Sequence, residues 1–209
     1  MTSILALLAL TGIVSALSGL VGSAEDDGDD GAVETKAQGT EGDDILRIEG
    51  DLERIDGREG DDLLIGSADN DTLGGGPDDD LLISGKGDDL LKGGVQHDIL
   101  VGIGDFEDLD PDALHPLEND EAAAEALIQD LLNAPDTSGA DTLEGGYGKD
   151  LFLMGHGDIA TGGDQVDSFA FFDQPLAEGV SASPAEITDF DPETEELVLP
   201  YDPSGPVPE

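Results

Sequence analysis

A nine-residue period runs unbroken from Gly39 to Asp110, and few folds accept so short a repeat. Eight nonamers fit one register: 39–47, 48–56, 57–65, 66–74, 75–83, 84–92, 93–101 and 102–110. Position eight is always a branched aliphatic: Leu46, Ile55, Leu64, Leu73, Leu82, Leu91, Leu100 and Leu109. Position six is always acidic: Asp44, Glu53, Asp62, Asp71, Asp80, Asp89, Asp98 and Glu107. A unit with one apolar anchor cannot bury a core alone, but stacked units can, so the period predicts an all-β solenoid. The last three residues of the better units are apolar and β-favouring, enough for one very short strand. Position eight then points inward, and positions seven and nine point outward. Two nonamers close one coil of 18 residues with strands on opposite sides. Coils stack about 4.8 Å apart.

Stacking brings the sixth-position carboxylates into rows. Asp44, Asp62, Asp80 and Asp98 make one row; Glu53, Asp71, Asp89 and Glu107 make the other. Carboxylates at a strand spacing repel one another unless a counter-charge sits among them. Anionic and carbonyl oxygens in a flexible glycine turn suit Ca2+. They suit Mg2+ less well and lack the nitrogen or sulfur ligands that zinc prefers. Residues 39–110 hold 22 acidic and five basic side chains, a net −17. Folding is therefore expected to be coupled to the metal. Across the whole chain 51 acidic residues face seven basic ones, which excludes binding to nucleic acid through its phosphates. There is no cysteine, hence no disulfide and no thiolate ligand.

Six segments follow from the pattern. Residues 1–24 carry no charged side chain, and the apolar stretch 4–21 is expected to be a helix, either an export signal or a membrane anchor. Residues 25–38 read as an acidic linker, and 39–110 as the first repeat block. Residues 111–135 interrupt the period. There Ala123, Ala124, Leu127, Ile128, Leu131 and Leu132 give a helical stripe expected to pack on an end or side of the solenoid. The second block, 136–170, carries Asp141 with Leu143, then Asp150, slips by one residue over Gly155–Thr161, and recovers with Asp167 and Phe169. In 171–209, Ile187–Asp191 and Leu197–Leu199 read as two short strands joined by a turn.

The repeats resemble those of the hemolysin-type calcium-binding (RTX) family, whose unit is G-G-x-G-x-D-x-U-x. Asp80 to Asp98, DLLISGKGDDLLKGGVQHD, fits the family's longer signature throughout. The resemblance implies a right-handed parallel β-roll and a protein exported to where calcium is plentiful. It implies several calcium ions held between coils by the side chains of Asp44, Asp62, Asp71, Asp80, Asp89, Asp98, Asp141 and Asp150. The remaining ligands would be carbonyls of the turns containing Gly57, Gly60, Gly75, Gly76, Gly85, Gly87, Gly93, Gly94, Gly145, Gly146 and Gly148. Some units depart from the pattern. Residues 48–56 lack the glycines, 102–110 read as a terminal cap, and Asp69, Asp78 and Gln96 replace the fourth-position glycine at the cost of strain.

No HExxH, GxSxG or P-loop is present, and His97, His115 and His156 stand apart from one another in sequence. The expected role is therefore non-enzymatic: a calcium-binding, exported or surface protein with a structural or adhesive task. The alternative is a carrier portion of a larger exported protein.

Overall fold

The strands sort alternately into two parallel sheets. The computed structural model describes residues 36–48, 53–103, 139–172 and 183–199. One sheet takes, in order, β1 (Lys36–Gln38), β3 (Arg54–Asp56), β5 (Thr72–Pro77), β7 (Leu90–Val95), β9 (Thr142–Tyr147), β11 (Ile159–Asp164) and β13 (Glu186–Ile187). The other takes β2 (Ile45–Arg47), β4 (Leu63–Ile65), β6 (Leu81–Ile83), β8 (Ile99–Gly102), β10 (Leu151–Met154), β12 (Ser168–Phe171) and β14 (Glu196–Val198). Register follows the 18-residue coil: Leu64 pairs with Leu82, and Leu73 with Leu91. Consecutive strands thus lie on opposite sides of a solenoid, as the two-nonamer coil requires.

The eighth positions fill the space between the sheets. Ile55, Leu64, Leu73, Leu82, Leu91, Leu100 and Leu143 are all fully buried there. Each such side chain contributes about 1.5–3 kcal/mol by leaving water. Toward the C-terminal end the aliphatic column becomes aromatic. Phe152 stacks on Phe169 with ring centroids 4.8 Å apart, and Phe190 meets Phe169 edge-on at 5.9 Å. Phe152→Ala is expected to cost about 3–5 kcal/mol, the range for emptying a fully buried aromatic site. Urea unfolding in calcium measures it, and a loss under about 1 kcal/mol would mean the ring does not hold the column.

The outward positions differ between the sheets. Along β5, β7 and β9 burial alternates, with Leu73, Leu91 and Leu143 in and Thr72, Leu90 and Thr142 half out. In β4, β6, β8 and β10 every residue is buried, including Leu63, Ile65, Leu81, Ile83, Ile99 and Val101 at positions seven and nine. These four central strands of the second sheet are apolar on both faces, the pattern of a parallel sheet covered on both sides.

Several boundaries shift from the sequence reading. Lys36–Gln38, placed in the linker, forms β1, and Ala37 pairs with Ile55. The stack continues past the first block. Leu91 pairs with Leu143 and Leu100 with Phe152, so the second block stacks directly on the first. Within 102–110 only residues to 103 are described, and Gly102 pairs with Met154. The two late strands are present with a turn between them, and they join different sheets: β13 lies beside β11 and β14 beside β12. The helices expected over 4–21 and in 111–135 lie outside the described residues, and so does His115. Among the described residues no helix is long and apolar enough to cross a membrane.

Candidate functional site

The sixth-position carboxylates lie at the points where strands leave the turns, and the chain buries them. Asp44, Asp62, Asp71, Asp80, Asp89, Asp98, Asp141 and Asp150 are all at most 3% exposed. Burial of so many acids is unusual and requires a hydrogen-bonding account. Six of them, Asp62, Asp80, Asp89, Asp98, Asp141 and Asp150, accept through one oxygen the backbone N–H of the sixth-position residue in the coil before. Asp44 donates to Asp62 Oδ1 at 2.8 Å, Asp62 to Asp80 at 3.0 Å and Asp80 to Asp98 at 3.0 Å. The row continues across the interruption, from Asp98 to Asp150 and from Asp150 to Asp167, both at 2.9 Å. In the second row Asp71 donates to Asp89 at 2.7 Å, Asp89 to Asp141 at 2.9 Å and Asp141 to Asp158 at 3.0 Å. The neighbour of Asp89 is therefore Asp141, and the sequence-based row through Glu107 is corrected.

The second oxygen of most of these carboxylates has no donor. Oδ2 of Asp62, Asp80, Asp89, Asp98, Asp141, Asp150 and Asp167 is buried with no hydrogen-bond partner. A buried, unpartnered anionic oxygen is costly, and the cost repeats along both rows, where a cation would relieve it. The glycines expected at position one explain how the oxygen is accommodated. A Cβ on Gly57, Gly75, Gly93, Gly145 or Gly162 would overlap Oδ2 of Asp62, Asp80, Asp98, Asp150 or Asp167. The glycines at position two serve another contact. A Cβ on Gly76, Gly85, Gly94 or Gly146 would overlap the carbonyl oxygen of Arg58, Ser67, Gly76 or Gly94 in the preceding coil. Gly76, Gly85, Gly94 and Gly146 have φ of +137°, +101°, +130° and +112°, as do Gly60 and Gly87 at position four with +111° and +107°. Gly148, also at position four, has no such φ; there a Cβ would run into the carbonyl of Gln96. The strain expected where glycine is replaced is present at Asp78 and Gln96, with φ of +85° and +86°. It is absent at Asp69, whose turn closes differently.

Burial, and then the charges of neighbouring aspartates, push these carboxyls up from 3.8. The N–H from the adjoining coil opposes the rise but does not cancel it. Asp62, Asp89 and Asp150 reach about 7, Asp80 about 8, and Asp98 and Asp141 about 9. For Asp141 the charge of Asp158 is the largest effect after burial. Among the described residues no three Asp, Glu or His side chains converge on one point. A cation here would draw one carboxylate from a coil and complete its shell with turn carbonyls, the mixed oxygen set that Ca2+ accepts.

Three features escaped the sequence reading. Asp158 is fully buried and extends the second row, but its unit is one residue short and the spacing hid it. Asp189 ends the stack, taking the N–H groups of Gly162 and Gly163 at 2.9 Å each. Outside the rows, the fifth positions form a ladder of their own: Asp61 N–H donates to Asp43, Asp79 N–H to Asp61 and His97 N–H to Asp79. An acid at Asp43, Asp61 and Asp79, each 18 residues from the next, was the available signal. His97 also places Nδ1 3.2 Å from Asp79, and His156 packs edge-on against Phe171 at 5.6 Å, so neither imidazole stands alone.

A family model described as RTX calcium-binding nonapeptide repeat (4 copies) matches residues 50–82, 74–102 and 136–158. No curated protein and no solved structure matches the chain.

Proposed function

The chain carries RTX calcium-binding nonapeptide repeats, and from that premise we propose that it is a calcium-binding protein whose solenoid is completed by the ions its turns hold. The observation that carries this reading is the row of unpartnered, buried Oδ2 atoms at Asp62, Asp80, Asp98 and Asp150, each lying against a position-one glycine. Asp89 and Asp141 supply the same atom in the second row. When bound, calcium contributes two positive charges where the fold has gathered anionic oxygens. The protein's part is to orient those oxygens, exclude water around them and keep the turns open through glycine.

The same reading places the protein outside the cell or on its surface, in a structural or adhesive role. Its support is the resemblance of the repeats, the strong negative charge and the apolar stretch 4–21, which would direct export or anchor the chain. A carrier role within a larger exported protein is the second reading. It rests on the match being confined to the repeats.

Calorimetric titration of the whole chain with calcium tests the proposal. Saturable binding is expected, and Asp89→Ala should weaken it more than Glu53→Ala. Asp89 presents a buried free oxygen, whereas Glu53 is exposed and its unit lacks the turn glycines. Equal effects of the two substitutions, or no saturable binding, would sink it.

A further inference from the structure

The turns are of two kinds, and the difference lies in one side chain. In the units led by Gly57, Gly75, Gly93, Gly145 and Gly162, the second residue is left-handed: Arg58, Gly76, Gly94, Gly146 and Gly163 have φ of +88°, +137°, +130°, +112° and +104°. The carboxylate Oδ2 in each of these turns has no partner. In the units led by Gly39 and Gly66, the second residue is Thr40 or Ser67, and neither is left-handed. Nor are Gly42 and Asp69 at position four.

Those two turns close on themselves. Thr40 donates to Asp44 Oδ2 through its backbone N–H at 2.6 Å and its hydroxyl at 3.0 Å. Ser67 does the same to Asp71 Oδ2, at 2.7 and 2.9 Å. Each hydroxyl in turn accepts the N–H of position four, from Gly42 or Asp69, at 3.3 Å. The carboxylate has swung toward the hydroxyl. A Cβ on Gly39 or Gly66 would stand 2.8 or 3.2 Å from Oδ2, where one on Gly57, Gly75 or Gly93 would stand only 2.1, 2.1 or 2.3 Å away. In Asp71 the atom without a partner is Oδ1, on the side of the Glu53 coil, not the atom in the glycine turn.

We infer that the turns Thr40–Asp44 and Ser67–Asp71 take no cation, because a threonine or serine hydroxyl and its own N–H hold the carboxylate oxygen that the other turns leave for calcium. An N–H aimed into the turn repels a cation, and the oxygen it holds already has two hydrogen-bond donors. In the Arg58 turn the corresponding N–H points away, to the carbonyl of Gly75 at 3.0 Å. The ions are therefore left to the turns whose Oδ2 is unpartnered, at Asp62, Asp80, Asp98, Asp150 and Asp167 in one row and at Asp89 and Asp141 in the other. The first coil and the Ser67 turn are fixed by covalently attached donors that need no metal. This rests on the calcium reading above and assigns its sites.

Equilibrium dialysis of the full chain against saturating radiolabelled calcium counts the ions. Asp71→Asn should bind as many as the unsubstituted chain, whereas Asp80→Asn should lose one or more. The double variant S67G/D69G, which restores the glycine pattern, should gain one. Thr40→Val, similar in shape but without the hydroxyl, should keep the count and lower the thermal midpoint. Equal losses at Asp71→Asn and Asp80→Asn would overturn the assignment. So would a folded S67G/D69G chain that gains nothing. An unsubstituted chain that binds no calcium would instead overturn the calcium reading itself, before any variant is compared.

Discussion

In excess chelator at neutral pH the chain is expected to show a circular dichroism spectrum without β structure, and millimolar calcium is expected to restore it. The expected change is large because the opposing charge lies inside the fold. Residues 39–110 carry a net −17, and the solenoid stacks buried acids at strand spacing. Each coil contributes only two short strands and about two inward aliphatics, so no unit can absorb that repulsion through its own core. With calcium present the same carboxylates attract a common counter-charge, and binding free energy becomes folding free energy. Superimposable spectra with and without calcium at neutral pH would refute the coupling.

Acid should substitute for calcium. In the unfolded chain the aspartates titrate near 3.8, while in the cation-free fold Asp62, Asp89 and Asp150 titrate at about 7, Asp80 at about 8, and Asp98 and Asp141 at about 9. Asp71 and Asp167 are shifted in the same direction. Burial is the first cause for all of them. A raised value means the fold binds protons more tightly than the unfolded chain does, so stability falls as pH rises. Below about pH 4 the groups are neutral in both states and no penalty applies. Between pH 4 and 9 the penalty accumulates, and above the folded values it is complete. In calcium-stripped buffer, β ellipticity should therefore grow on acidification from pH 9 toward 4. In calcium the dependence inverts, because the metal must displace protons, and binding at pH 7 should release them into a weakly buffered solution. Ellipticity that stays constant over this range without calcium would contradict the burial of these acids.

The period announced the core and the rows because both repeat locally. Leu64 and Leu82 lie 18 residues apart and meet, as do Asp62 and Asp80. Three things were not legible, each for a physical reason. Stacking partners across the interruption depend on which unit presents a suitable turn, and Glu107 with Leu109 satisfied the count without being the partner of Asp89 or Leu91. Asp158 was hidden because a turn can shed one residue when Gly155 N–H caps the carboxylate directly at 2.7 Å. Ser67 stands where better units have a second glycine, and its hydroxyl determines the closure of a turn. A pattern of residue types does not say whether a small polar residue stands in for glycine or for a ligand.

The junction between the blocks has a thermodynamic consequence. Asp98 and Asp150 are stacked neighbours 52 residues apart, where neighbours in the first block are 18 apart, an excess of 34. Bringing together residues 52 apart instead of 18 apart costs about 1 kcal/mol more in chain entropy. Pairing there is no poorer than elsewhere: β8 meets β10 at four positions, where β4 meets β6 and β6 meets β8 at three. The junction is therefore a course laid late and not a course laid weakly. Order propagating from the N-terminal coils must wait at it for a distant stretch of chain to arrive, and once laid it holds as the others do.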